Sequence, residues 1–189
     1  AIAQFPAVAV SGPRQAGKST LLRQAAPKHQ YISFDDPVVR EQARSDPNLF
    51  FDSLVEQVIL DEVQYVPEIL SYLKMRIDAD RSRQGRFLLT GSQRFPLIKG
   101  LGDTLAGRIA LLELLPFSVK EIRRAPGRAA RLRNVEDVFL LACLTGSFPE
   151  PVISSLDTGI WYGSYLQTYL ERDVRTLQDI GKLRDFQRF

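Results

Sequence analysis

Short, nearly continuous apolar runs recur along the chain at Ala7–Val10, Val58–Leu60, Phe87–Leu89 and Ile109–Leu112, with a weaker run at Tyr31–Phe34. Such runs predict strands buried on both faces, as in a parallel sheet. Helix-compatible stretches lie between them: Ser19–Ala26, stopped by Pro27; Val38–Arg44; and Pro67–Asp80, in which Pro67 fits the first helical position. This alternation predicts an α/β fold. After Leu115 the pattern changes. Pro116-Phe117-Ser118 leads into a helix that Ser118 and Glu121 can cap reciprocally, and no strand-like run follows. Arg123–Asn134 reads as a boundary loop, while Val135–Leu144 and Ile160–Leu177 carry apolar residues at helical spacing. In the second of these, Tyr162, Leu166, Tyr169, Leu170, Val174 and Leu177 share one face, which reads as core or interface.

At 189 residues and 44% hydrophobic content, the chain can bury one good core with a small appended subdomain. Its 25 basic and 22 acidic residues give a net charge of +3, too mild to indicate nucleic acid by itself. The lone Cys143 sits in an apolar run without a disulfide partner and reads as a buried, inert thiol. No apolar run approaches the roughly 20 residues needed to span a bilayer, and no signal-peptide pattern opens the chain, so a soluble cytoplasmic protein is expected. The sequence begins at Ala1 rather than Met and stops within a helix-like stretch, Lys182–Phe189, so both ends read as cut.

The sharpest chemistry lies just after the first apolar run. Gly12-Pro13-Arg14-Gln15-Ala16-Gly17-Lys18-Ser19 fits the phosphate-loop template G-x-x-x-x-G-K-[ST] at every fixed position, and Thr20 follows it. Two glycines let the backbone wrap a phosphate, so that loop N–H groups and the following helix N-terminus point at the anion. Lys18 would reach the β and γ phosphates, and Ser19 would offer its hydroxyl to Mg²⁺. A nucleoside triphosphate is the expected ligand.

Val58-Ile59-Leu60-Asp61-Glu62 is an apolar strand ending in two carboxylates. Asp61 would hold Mg²⁺ through water, and Glu62 would act as general base toward the attacking water. In Phe87-Leu88-Leu89-Thr90-Gly91-Ser92 the polar strand tip would face the γ-phosphate, with Ser92 as first choice of sensor and Thr90 as second. Arg108 and Arg172 are candidates for neutralising transition-state charge, Arg108 across a subunit boundary in a homo-oligomer. For Arg108 a surface ion pair is an equal alternative; Arg172 lies beside Glu171 and Arg175, whose spacing fits ordinary helix-surface pairing. The arginines at 123, 124, 128, 131 and 133 form a basic cluster able to meet nucleic-acid phosphates. No aromatic residue is interleaved there to stack on bases, so a solvated loop is the stronger reading. His29 reads as a surface residue.

These motifs, together with Leu105-Ala-Gly-Arg-Ile109, Leu112-Glu-Leu-Leu-Pro-Phe-Ser118, Phe148-Pro-Glu-Pro151 and Tyr169-Leu-Glu-Arg-Asp-Val174, resemble a family of prokaryotic AAA-like P-loop ATPases over nearly the whole chain. The resemblance implies an AAA-type parallel sheet flanked by helices across residues 1–118. In that sheet the sensor strand lies between those bearing the first two motifs. It implies a helical lid, and the start of a truncated C-terminal region, over 119–189. Family members usually continue into a winged-helix-like region and a C-terminal domain of unknown function with a restriction-endonuclease-like fold. Lys18, Ser19, Asp61 and Glu62 carry over to the family's site directly. The family often has two glycines where this chain has Gly146-Ser147.

The expected activity is Mg²⁺-dependent ATP hydrolysis, driving a conformational change passed to C-terminal domains or a protein partner. The alternative is a slow nucleotide switch that acts as an assembly module. A kinase would need an acceptor pocket that no motif reveals. ATP rather than GTP follows from the resemblance, and no Asn-Lys-x-Asp guanine-reading motif occurs. Residues near Phe5 and Pro6 are the candidates for adenine contact.

Overall fold

The computed structural model describes residues 1–92, 105–127, 129–132, 134–154 and 156–169. The chain divides after Pro116 into two compact units. In the first, β1 (Ala7–Gly12), β2 (Gln30–Ser33), β3 (Val58–Asp61), β4 (Phe87–Ser92) and β5 (Ile109–Glu113) form one sheet in the order β2-β3-β4-β1-β5. All four pairings are parallel. Each expected strand is present, and β4 lies between β3 and β1, as the family resemblance implies.

The apolar runs are continuous because both faces of the sheet are covered. On one face Val8, Val10, Ile59 and Leu88 pack with Leu22 and Ala26, which belong to or follow α1 (Lys18–Ala25). On the other, Ala7, Ala9, Val58, Leu60, Phe87 and Leu89 pack with residues of α2 (Pro37–Ser45), α3 (Pro47–Asp52) and α4 (Ile69–Ala79). Alternate strand residues therefore serve opposite cores. Asp36 and Asp46 cap α2 and α3, each accepting a backbone N–H ahead of a proline in the first turn. The expected helix at Pro67–Asp80 starts later. Val63–Tyr65 forms a 3₁₀ turn, Pro67 lies in the turn that follows, and α4 begins at Ile69. His29 is half-buried rather than on the surface, with its Nε2 2.8 Å from the Gly85 carbonyl oxygen.

The second unit is helical, with α5 (Val119–Ile122), a 3₁₀ turn at Ala129–Arg131, α6 (Val135–Thr145), α7 (Pro149–Ile153) and α8 (Thr158–Tyr169). Ser118 and Glu121 form the reciprocal cap read from the sequence. Ile122, Ala125, Ala129, Val138, Leu141 and Val152 form this unit's core. Cys143 is exposed, contrary to the sequence reading. Helix α6 is apolar on more than one side, and Val138, Leu141 and Thr145 take its buried face. On α8, Tyr162 is half-buried and Leu166 is exposed, whereas the Tyr169 side chain, Leu170, Val174 and Leu177 lie outside the described residues.

The turn after α6 explains the glycine pair usual in the family. Gly146 and Ser147 both have left-handed backbones, with φ of 52° and 62°. A Cβ on Gly146 would lie 2.1 Å from the Tyr162 hydroxyl oxygen. Ser147 carries a side chain in a conformation that disfavours one by about 1–2 kcal/mol. Replacing Ser147 with glycine should therefore raise the unfolding free energy by up to about 1 kcal/mol in urea titrations. Gly146→Ala should lower it by more than about 1 kcal/mol. Equal stability of all three proteins would disprove backbone strain at this turn.

Candidate functional site

At the end of β1 the chain turns through five residues and enters α1 at Lys18. The turn needs unusual backbone at Gly12 (φ 146°), Gln15 (φ 60°) and Gly17 (φ 94°). At Gly12 there is no room for a side chain, because a Cβ would sit 2.1 Å from the Leu114 carbonyl oxygen. Gly17 caps α1 without any side-chain hydrogen bond, so the first turn of the helix presents its N–H groups at the mouth of the loop. The Lys18 side chain is buried and curls over the loop, its Nζ donating to the carbonyl oxygens of Gly12 (3.1 Å) and Pro13 (2.9 Å). Arg14 is half-buried, Ser19 lies in the first turn of α1, and Thr20 is exposed beside it.

Asp61 ends β3 at this same edge of the sheet and is only 4% exposed. Its carboxylate accepts hydrogen bonds from three hydroxyls. Ser19 Oγ donates to Oδ1 at 2.7 Å, Thr90 Oγ1 also donates to Oδ1, and the Tyr31 hydroxyl donates to Oδ2 at 2.6 Å. Sheet register explains the convergence. Tyr31 pairs with Ile59, two residues before Asp61, and Thr90 pairs with Val10, so all these side chains project from the α1 face. Burial, with Asp61 beside it, pushes the Tyr31 phenol up to about 12.

Glu62 follows with φ of 57°, a left-handed backbone in a residue other than glycine. Thr90 Oγ1 accepts its N–H at 3.0 Å, so one threonine hydroxyl braces both acidic residues. Gln64 Nε2 donates to the Glu62 carboxylate. Burial raises the Glu62 carboxyl above its ordinary range, opposed by the Gln64 hydrogen bond and by the charges of Lys18 and Arg14. Those charges link Glu62 to the loop. The oxygens of Ser19 and Asp61 fit Mg²⁺, a hard cation that keeps several waters and takes few protein ligands beside phosphates.

The sequence-derived residues are thus partly assembled. Gly12 through Thr20, Asp61 and Glu62 meet at the C-terminal edge of the sheet. Ser92 ends β4 with its Cα paired to Gly12, but its side chain lies outside the described residues. Thr90 is the hydroxyl that contacts the acidic pair. Tyr31 and Gln64 escaped the sequence reading, since neither belongs to a local motif and only sheet register and the turn after β3 deliver them.

Arg108 stands at the opposite edge. Its carbonyl oxygen accepts from the N–H of Ala7, at the start of β1, which puts it five to six strand residues, roughly 17–20 Å, from the loop. Its guanidinium forks onto Asp78, with Nε 2.7 Å from Oδ1 and Nη2 3.1 Å from Oδ2. Asp78 responds with a carboxyl held down to about 2 by its hydrogen bonds to Arg108 and Arg81. This position excludes action on the nucleotide of its own loop. Phe5 and Pro6 share that remote edge and are not brought to the phosphate loop, because they precede β1 directly. Arg172 and the arginines at 128 and 133 lie outside the described residues. No helix among the described residues is long and apolar enough to cross a membrane.

Comparison with known proteins bears on the fold and the family. Uncharacterized proteins of Mycobacterium bovis and Mycobacterium tuberculosis are each 32% identical over 178 residues. Those residues are 94% of this chain and 38% of the relative, so the chain spans well under half the length of these curated relatives. Among solved structures, a signal transduction ATPase with numerous domains from Pyrococcus horikoshii, bearing a tetratricopeptide repeat sensor, aligns at a TM-score of 0.52 and 16% identity. It covers 87% of this chain and 30% of that one. The Walker-type ATPase of Pyrococcus abyssi aligns at 0.50 and 16%, covering 91% and 73%. The Holliday junction branch migration motor RuvB of Thermotoga maritima aligns at 0.50 and 18%, covering 88% and 55%. These likenesses establish the P-loop ATPase fold. A domain of unknown function, DUF8612, matches residues 136–189. The AAA domain matches residues 4–123, which include every strand of the sheet and the loop, carboxylates and hydroxyls of the site, and the chain belongs to that family.

Proposed function

We propose that this chain binds Mg²⁺-ATP at the loop Gly12–Ser19 and hydrolyses it, with Glu62 as general base. The single observation carrying the proposal is the 2.7 Å hydrogen bond from Ser19 to Asp61, which joins a glycine-bounded loop to a buried carboxylate. Ser19 and Asp61 would hold Mg²⁺, which when bound would offset phosphate charge. Lys18 would leave the Gly12 and Pro13 carbonyls for the β and γ phosphates, a rotation about its own flexible stem. The loop N–H groups and the α1 N-terminus would hold the remaining phosphate charge. Glu62, raised by burial yet facing two cations, would accept a proton from water. Cleavage would then be relayed to regions beyond this chain or to a partner protein.

The engagement of Glu62 by Gln64 favours a second reading on the same site, a slow nucleotide switch in which the base is withheld until a partner or further domain releases it. Arg108 is proposed to act only across a subunit boundary. There its fork to Asp78 would present it to a neighbour's nucleotide, as its distance from its own loop requires.

Lys18→Ala should abolish tight Mg-nucleotide binding in isothermal titration calorimetry, and retained affinity would sink the phosphate-loop assignment. Glu62→Gln should keep nucleotide affinity while lowering turnover by roughly 10² or more. Equal turnover in mutant and wild type would remove Glu62 from the chemistry. Turnover missing from both, with binding intact, would favour the switch. If Arg108 acts in trans, specific activity should rise with protein concentration and Arg108→Ala should flatten that rise. An activity independent of concentration would limit Arg108 to its ion pair.

A further inference from the structure

Of the three hydroxyls on Asp61, Ser19 belongs to the phosphate loop and Thr90 to the strand beside it. Tyr31 belongs to neither. It projects from β2, an edge strand of the sheet. Tyr31 remains 38% exposed while its hydroxyl oxygen reaches Asp61, a residue only 4% exposed. A phenylalanine would fill the same half-exposed position equally well, so packing does not account for the hydroxyl. The ring is also fixed from the other side. The Arg23 guanidinium lies over it, 5.0 Å from the centroid, and Arg23 sits on α1 four residues after Ser19. One helix thus supplies both the serine on Oδ1 and the arginine that holds the donor to Oδ2.

We infer that Tyr31 is a positioning residue for the cation. Its hydroxyl pins Oδ2 of Asp61, so that Oδ1 stays turned toward Ser19, where a divalent ion would be held. This deepens the proposed function and rests on it. A carboxylate that receives the waters of a hydrated cation must present one oxygen in a fixed direction, and a hydrogen bond on the other oxygen opposes rotation about Cβ–Cγ when the first oxygen's donors turn to the ion. Among the described residues no backbone N–H donates to the Asp61 carboxylate to do this. The two remaining hydroxyls both bond Oδ1, which leaves Tyr31 as the sole brace of Oδ2 among the described residues. Partners that orient direct metal ligands typically alter metal affinity or activity by 10–100-fold. Tyr31 acts through a carboxylate that meets the metal through water, so a smaller effect is expected.

The test uses Mn²⁺ as a probe of the cation site. Free Mn²⁺ is read by electron paramagnetic resonance during titration of the protein–ADP complex, for wild type, Tyr31→Phe and Asp61→Asn. ADP affinity is measured separately in EDTA. Tyr31→Phe, which keeps the ring and its packing against Arg23, should weaken Mn²⁺ binding by at least about threefold, short of the range for direct-ligand partners. Its ADP affinity in EDTA should stay within about twofold of wild type, because the loop N–H groups and Lys18, rather than Tyr31, would hold the phosphates. Unchanged or tighter Mn²⁺ binding by Tyr31→Phe, whatever its melting temperature, would overturn the inference. Parallel loss of Mn²⁺ and metal-free ADP affinity would overturn it too, by showing a general structural role. ADP-dependent Mn²⁺ binding by wild type that Asp61→Asn leaves intact would overturn instead the placement of the cation at Asp61, and with it the role of Tyr31.

Discussion

A carboxylate buried to 4% exposure is the constraint on which the nucleotide-binding unit turns. Leaving such a group without partners would cost several kcal/mol, so folding must deliver donors to Asp61 from elsewhere in the chain. They come from α1, β2 and β4, three elements that must all be in register with β3 at once. The nature of these donors matters as much as their number. All are neutral hydroxyls, and among the described residues no cation pairs with Asp61. Hydroxyls satisfy the lone pairs without cancelling the charge. The buried anion therefore keeps a potential that draws a cation, and the acceptor that would receive one is already aligned with the first turn of the helix after the phosphate loop.

The parallel sheet makes that alignment possible. With every strand running the same way, all the strand C-termini lie on one edge, and a ligand gathered there touches the ends of several strands. The side-chain alternation that builds two cores also chooses the groups facing α1. The parity that places Val10, Ile59 and Leu88 on the α1 core places Thr90, Asp61 and Tyr31 just beyond it. The polar cluster continues the α1 side of the apolar core toward the strand ends, with Thr90 and Asp61 still buried. Asp78 and Arg108 occupy the other edge, where their surface fork is screened by solvent.

Features encoded locally were legible in the sequence. The five apolar runs are the five strands, the phosphate-loop spacing marks the glycine-bounded turn, and Ser118 with Glu121 is a reciprocal cap. What escaped depends on contacts between distant segments. Tyr31 opens the weakest strand run, and its value comes from lying one diagonal step from Asp61. Thr90 drew notice only as a second choice of sensor, because no local pattern records that its hydroxyl lies between the Asp61 carboxylate and the Glu62 N–H. Cys143 reads as buried from its apolar neighbours, yet α6 carries more apolar residues than one buried face can take. Pro67 matches a first helical position, but the 3₁₀ turn after Glu62 uses up the residues before it and delays α4. The distance of Arg108 from the loop follows from strand direction, which no local pattern records.

Glu62 shows why the strand must end where it does. Adjacent residues in a strand project to opposite faces, so a straight continuation of β3 would send Asp61 toward α1 and Glu62 away from it. Two neighbouring carboxylates could then not serve one site. The left-handed backbone at Glu62 breaks the alternation and starts the 3₁₀ turn Val63–Tyr65, at a conformational cost of roughly 1–2 kcal/mol. Thr90 offsets part of this by accepting the Glu62 N–H while donating to Asp61. Glycine would adopt the turn without strain but would carry no carboxylate. The strained residue is kept where its side chain feels the charges of Lys18 and Arg14, as expected when backbone geometry is subordinated to a site's chemistry.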